Sequence, residues 1–238
     1  MKLDILAIGV HPDDVELGCG ATILKHVDLG YKVGILDLTQ GELGTRGTAE
    51  IRLQEAEAAR AFAGVLIRDN LSMPDGFIGS DRTSKLSIAK KIRQYQPEIV
   101  LANAVRDRHP DHGNAAKLIY EACFLAGLLK IETSLDGVKQ DKWRPRKLLN
   151  YIQDFNLTPN VVIDVSGYMD KKIDYVKCFK SQFFDPESSE DDTPISSMDF
   201  MEFLRARGRF HGRHIGAEYG EGFTCESYIG VKSLMDIL

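Results

Sequence analysis

The sequence predicts one α/β domain over residues 1–238: a Rossmann-like, mostly parallel sheet flanked by helices. Three observations predict it. The chain has 238 residues, 43% of them hydrophobic and 27% charged, enough for one sizeable core. Its first half alternates short apolar, β-rich runs with amphipathic stretches of helical period. No apolar run reaches the length of a membrane span.

The first strand is LDILAIGV (3–10), whose apolar run is broken by Asp4, ends at His11 and is too short for a signal-peptide core. A helical pattern over 16–29 follows, then the strand KVGILDL (32–38), completing a βαβ unit. A second helix over 49–63 leads to VLIRDNL (65–71), and a third over 83–95 leads to EIVLAN (98–103). Strands joined through helices are parallel and buried on both faces. With the doubly wound order 3-2-1-4, the first and fourth strands are neighbours at the point where the order reverses, and ligands bind in the crevice there. His11 follows the first strand and RDRHPDHGNAA (106–116) follows the fourth, so two histidine-bearing turns meet at one crevice.

Further strands are expected at NYIQD (150–154) and VVIDVS (161–166), then an amphipathic helix over 169–181. FFDPESSEDDTPISS (183–197) is acidic, rich in Ser and Pro and without apolar period, which predicts a mobile surface loop before a helix over 197–207. There is no internal repeat.

The formal charge of −5 leaves no basic stripe to neutralise phosphates, so nucleic-acid binding is not expected and a small-molecule partner is. Cys19, Cys123, Cys178 and Cys225 are far apart and form no CxxC pair, which reads as reduced thiols in a cytoplasmic protein. No membrane association is expected, and a homo-oligomer is.

The chemistry lies in two short segments. HPDD (11–14) crowds one imidazole and two carboxylates onto a strand-to-helix turn; alone it equally fits an Asp capping the helix. HPDH (109–112) repeats the composition after the fourth strand; alone it is the weaker signal and fits a solvated turn better. Together they bring imidazole and carboxylate donors to one crevice, and two His with one carboxylate leave a coordination position open, the pattern of a catalytic metal. Bound Zn²⁺ lowers the pKa of water from about 15.7 to about 7 and polarises a carbonyl, so an amide can be attacked at neutral pH. Adjacent turn residues point in different directions. Asp14 can therefore ligate while Asp13 stays free as a general base, and His112 can ligate while His109, when protonated and oriented by Asp111, stabilises an oxyanion or protonates the leaving amine.

HPDD near the N-terminus followed by HPDH from His109 resembles the LmbE-like (PIG-L) zinc deacetylases of N-acetylglucosamine conjugates. The resemblance extends over most of the chain, including GELGTRGTAEIRLQEAEAA (41–59) and GRHIGAEYGEGF (212–223). It is nearest the branch that deacetylates N-acetylglucosaminyl malate in bacillithiol biosynthesis. It implies His11, Asp14 and His112 as zinc ligands, Asp13 as general base, and His109 with Asp111 as the acid or oxyanion pair. Many members read AHPDDE, whereas here Val10 precedes the motif and Val15 and Glu16 follow it. Fe²⁺ or Co²⁺ would also suit such a donor set.

A malyl group carries two carboxylates, for which bidentate Arg is suited; Arg52 and Arg108 stand in family-like segments near the crevice and are the expected substrate-binding residues. Arg52 equally fits a solvated helix charge paired with Glu55. GELGTRG (41–47) lacks the Lys-Ser/Thr of a phosphate loop and reads as a flexible substrate loop. His26, His211 and His214 are expected on the surface or in packing, and Tyr219 and Glu221 fit either the site mouth or packing. Two other functions remain: an amidase cleaving a larger glucosaminyl thiol conjugate, and a non-catalytic sugar- or nucleotide-binding module. The second is disfavoured because GVHPDDVELG replaces the GxGxxG turn of dinucleotide sites.

Overall fold

The computed structural model describes residues 1–183 and 190–237. In chain order the elements are β1 (Ile5–Gly9), α1 (Asp14–Asp28), β2 (Val33–Asp37), α2 (Ala49–Ala63), β3 (Ile67–Asn70), α3 (Arg82–Tyr95), β4 (Ile99–Ala102) and α4 (Pro110–Ala126). There follow β5 (Ser134–Leu135), β6 (Val138–Lys139), β7 (Lys147–Tyr151), β8 (Val161–Asp164), α5 (Met169–Val176), α6 (Met198–His214), β9 (Gly220–Thr224) and a 3₁₀ turn (Leu234–Asp236). The seven-stranded sheet runs β3-β2-β1-β4-β7-β9-β8, so the expected order 3-2-1-4 is present. β3, β2, β1, β4 and β7 are mutually parallel, and β9 runs antiparallel between β7 and β8.

Each face of the sheet carries its own core because side chains alternate along a strand. Ile5 and Ala7 of β1 join Val33 and Ile35 of β2 under α1, α2, α5 and α6. Leu6 and Ile8 join Leu36 and Val100 under α3 and α4. All parallel strands thus end on one edge, and their following loops carry the site.

Several boundaries differ from the sequence reading, each for a local reason. The strand expected at 150–154 is Lys147–Tyr151, registered against Ile99–Ala102, which releases Gln153 and Asp154 into the loop beyond. α5 stops at Val176 because the chain tightens: Cys178 N–H bonds Tyr175 O at 3.2 Å and Phe179 N–H bonds Val176 O at 3.1 Å. α6 runs on to His214, through the basic stretch 205–214. Its buried face is Leu204, Gly208, His211 and Gly212, a helical spacing with no apolar period to read. α4, β9 and the β5–β6 hairpin carry no expectation from the sequence. The hairpin turn is Asp136-Gly137 with φ of 50° and 79°, a two-residue left-handed turn. Of the acidic loop, residues 184–189 lie outside the described ones. Among the described residues no helix is long and apolar enough to cross a membrane.

Candidate active site

The loop after β1 folds back on the first residue of α1. Asp14 Oδ2 accepts the backbone N–H groups of Val10 and His11, both at 2.9 Å, and the Asn103 side-chain amide at 2.9 Å. Its Oδ1 accepts Gln153 Nε2 at 3.0 Å and lies 3.2 Å from His112 Nε2. The Asp14 carboxylate is therefore committed to the crevice, and Asp13 makes no capping bond to α1, so neither Asp serves the first turn as a cap. The turn stores strain: Asp13 is a non-glycine residue at φ 130°.

α4 supplies the facing side. Pro110 stands in its first turn, where a missing N–H costs nothing, and His109 is the N-cap. Both HPDx turns converge as expected: His11, Asp14 and His112 bring one donor atom each within 4.8 Å of one another. The outer nitrogens of both imidazoles are held by carboxylates. His11 Nε2 donates to Asp75 Oδ1 at 2.9 Å, leaving Nδ1 toward Asp14 at 3.6 Å. His112 Nδ1 donates to Asp107 Oδ2 at 2.6 Å, and Asp107 Oδ1 accepts the N–H groups of Asp154 and Phe155. A carboxylate behind each imidazole fixes its tautomer and orients its inner nitrogen, an arrangement suited to holding a metal.

Titration follows the same layout. Burial resists protonation of His11, but hydrogen bonds to Asp14 and Asp75 and their charges push its pKa up to about 10. His112, likewise opposed by burial, is raised to about 9 by Asp14 and Asp107. Burial disfavours ionised Asp14, yet His112 and His11 hold its carboxyl well below the usual range. Two N donors and one buried carboxylate oxygen suit a divalent first-row cation with an open position. His11, His109 and Asp111 also come within 4.8 Å of one another. There, however, His109 Nδ1 accepts the Asp111 backbone N–H at 3.3 Å and Asp111 Oδ1 accepts Ile78 N–H, so no outer carboxylate orients His109. With Nδ1 accepting, the proton of neutral His109 is on Nε2; burial, then the charges of His11 and His112, lower its pKa.

Asp13 is buried at 4% exposure, and Arg52 Nη2 donates to its Oδ2 at 3.1 Å. Burial outweighs that cation and raises Asp13 to about 7. Arg52 is no solvated helix charge: it also donates to Pro12 O and Gly41 O, while Glu55 binds Ser181 instead. Gly41, at φ 69°, permits this, since a Cβ there would meet Arg52 Nη1 at 2.0 Å. Arg108 is half exposed and paired with Asp154 at 2.7 Å.

A cleft of about 250 Å³ joins these groups; His11, Asp13, Asp14, Arg52, Arg108, His109 and His112 all line it, Leu43 and Gly44 enter from the 41–47 loop, and Phe200, Phe203 and Arg207 close it from α6. Asp111 lies behind His109 rather than on the cleft wall. Tyr219 and Glu221 do not reach the cleft; Glu221 accepts the Ala21 and Thr22 N–H groups and Lys172 Nζ behind it. His26 and His211 are likewise outside it. Glu16 pairs with Arg68 at 2.6 Å, and Arg68 with Asp37 at 2.7 Å, tying α1 to β2 and β3 beneath the site.

Sequence reasoning did not reach Asp75, Asp107, Asn103, Gln153 or the α6 residues. Asp107 had a signal, a carboxylate inside RDRHPDH beside a candidate ligand. Asp75, in an MPDG turn after β3, had none.

The family described as PIG-L: GlcNAc-PI de-N-acetylase matches residues 6–123. The chain is 30% identical over 231 residues to the diacetylchitobiose deacetylase of Thermococcus kodakarensis, covering 92% of this chain and 81% of that protein. Among solved structures, the conserved protein TT1542 from Thermus thermophilus superposes with a TM-score of 0.85 at 33% identity, over 97% of this chain and 98% of that one. The N,N'-diacetylchitobiose deacetylase from Pyrococcus horikoshii superposes with a TM-score of 0.79 at 27% identity, over 98% of this chain and 88% of that one. With its two HPDx turns on one crevice and a relative of this identity along nearly its whole length, the chain belongs to the PIG-L (LmbE-like) de-N-acetylase family and is a metal-dependent amide hydrolase.

Proposed function

We propose that the chain is a zinc-dependent N-deacetylase of an N-acetylglucosamine conjugate, with N-acetylglucosaminyl malate, the bacillithiol-pathway intermediate, as its substrate. The observation that carries the reading is a buried carboxylate with a pKa near 7, Asp13, next in sequence to the buried carboxylate of the three-donor set His11, Asp14 and His112. Zn²⁺ bound there supplies Lewis acidity toward the acetamide carbonyl and toward water. Asp13 accepts the proton of the attacking water; a base whose pKa lies near the working pH is most effective in that role. Arg52, bound to Asp13 Oδ2, Pro12 O and Gly41 O, holds that carboxylate in place. His109 presents its Nε2–H to the oxygen that becomes negative as the carbonyl is attacked, while the proton that Asp13 took from the water passes to the departing amine; Asp111 fixes the His109 ring through the backbone N–H on Nδ1. Arg108, at the cleft rim, faces the aglycone.

The four unpaired cysteines agree with a reducing, cytoplasmic setting, and the exposed apolar side chains of Tyr228, Leu234 and Met235 agree with a surface covered by a second copy. The test is amine release from N-acetylglucosaminyl malate, from N-acetylglucosamine and from a glucosaminyl thiol conjugate, using metal-stripped protein with and without Zn²⁺. Zinc-dependent turnover highest on the malate conjugate supports the proposal. Preference for the thiol conjugate replaces deacetylation by amidase activity, and zinc binding without turnover of any of the three rejects this substrate class.

A further inference from the structure

Three arginines line the cleft, and they differ in what neutralises them. Arg52 is held by Asp13 and two carbonyls, and Arg108 by Asp154. Arg207 has no carboxylate within ion-pairing distance among the described residues. Its one hydrogen bond among those residues is from Nη2 to the Leu17 carbonyl at 3.0 Å, and its guanidinium lies 5.3 Å from the centre of the Phe203 ring. Glu221, Asp154 and Asp107 act on it only through longer-range attraction.

The backbone is broken to hold it there. α1 is interrupted at Cys19, where φ is −144°, and the Ala21 and Thr22 N–H groups turn to the Glu221 carboxylate. The Leu17 carbonyl, deprived of its helical partner, accepts from both Lys172 Nζ and Arg207 Nη2. Gly18 allows the break, since a Cβ there would strike the Tyr151 ring at 2.2 Å. Arg207 is thus anchored by one of its five donors, beside the apolar walls of Ile195, Phe200 and Leu204, with the remaining donors unmatched by any anion among the described residues.

We propose that Arg207 is a specificity-determining residue whose guanidinium binds a carboxylate on the aglycone of the substrate. The inference rests on the deacetylase reading above. An N-acetylglucosamine ring is neutral, so the anion that meets this cation has to come from the group attached to it. A planar fork of donors in a half-buried, apolar-walled position matches a carboxylate, where charge-assisted bonds are strongest.

The test compares kcat/KM for N-acetylglucosaminyl malate and for methyl N-acetylglucosaminide in the zinc-loaded wild type, Arg207→Gln and Arg207→Lys. The wild type is expected to prefer the malate conjugate, Arg207→Gln to reduce the ratio of the two kcat/KM values at least about tenfold, chiefly through KM, and Arg207→Lys to restore part of it. A ratio unchanged in Arg207→Gln, including equal loss on both substrates, overturns the assignment and leaves Arg207 a packing residue. No preference in the wild type overturns it as well. Turnover of neither substrate by the wild type rejects the deacetylase reading, and this assignment with it.

Discussion

Asp107→Asn separates the charge behind His112 from the shape around it. Asp107 Oδ2 holds His112 Nδ1 at 2.6 Å, while Oδ1 accepts the Asp154 and Phe155 N–H groups at 2.9 and 2.8 Å. Truncation to Ala would leave two N–H groups without partners, each costing about 1–3 kcal/mol, and would confuse folding with metal binding. Asn keeps an oxygen for those donors but turns its NH₂ toward His112 Nδ1, so the charge and the acceptor behind the ring are lost together while the shape stays. Loss of the carboxylate behind a ligating His typically lowers metal affinity about 10–100-fold, which is about 1.4–2.8 kcal/mol. A second effect opposes it. Asp107 is one of the partners that raise His112 to about 9, so its removal makes the imidazole easier to deprotonate for binding. The affinity deficit is therefore smallest near pH 7 and grows toward pH 9, where the wild type no longer has to expel that proton. Chelator competition with Zn²⁺ across this range measures it. Equal affinities at every pH, or a deficit that shrinks as pH rises, would refute the argument that Asp107 supports a ligating nitrogen.

Asp13→Asn is expected to retain metal and lose about 10²–10⁴ in kcat; the wild-type kcat/KM should rise with pH through an acid limb at or below about 7, because a bound cation adds to the lowering by Arg52. An active Asp13→Asn protein would remove the general-base assignment. His112→Ala should lose metal, read by elemental analysis, whereas His109→Ala should keep it and lose about 10²–10³ in kcat. Full metal content in His112→Ala would show the ligand set to be wrong. With protein partners alone holding His11 at about 10 and His112 at about 9, binding of one divalent ion near pH 7 should release close to two protons, falling toward none above pH 10. The same raised values stabilise stripped protein fully below about pH 6.5 and are lost as pH rises through 9 to 10, so its melting temperature should fall over that interval. Proton release near zero at pH 7 would contradict the carboxylate partners assigned to both rings.

The residues that could be read from sequence are those whose neighbours in the chain explain them. Strand order followed from βαβ rhythm, and the order alone placed His11 and His112 on one crevice, because parallel strands end on one edge. The supporting shell was not legible. Asp75 reaches His11 from the loop after β3, and Asn103 and Gln153 reach Asp14 from the ends of β4 and β7, each across a sequence separation that only the sheet closes. The α6 contribution was hidden for another reason: its buried stripe uses glycine and histidine at Gly208, His211 and Gly212, whose packing depends on close approach to Met169 and Tyr219 rather than on apolar period. Arg52 was read either as a carboxylate-binding residue from its family-like segment or as a solvated charge from helix spacing, and neither anticipated that its guanidinium would meet Asp13.

The carboxylate layer around the site explains why a chain can fold around so many buried acids. Asp75, Asp14 and Asp107 lie in a row with His11 and His112 between them. Two imidazolium rings supply two positive charges to that row; a divalent cation with two neutral imidazole ligands supplies the same two. Exchange of protons for metal therefore leaves the net charge of the buried row, three carboxylates against two positive charges, unchanged. Asp13 stands outside this balance. Its one ion pair among the described residues is with Arg52, which burial outweighs, so its proton is held loosely enough to move at neutral pH. The strain at φ 130° places that one weakly neutralised carboxylate beside Asp14 without letting it join the row. The division of labour between two adjacent aspartates thus follows from their partners: four donors and two imidazoles commit Asp14 to charge, and a single guanidinium leaves Asp13 free to exchange its proton.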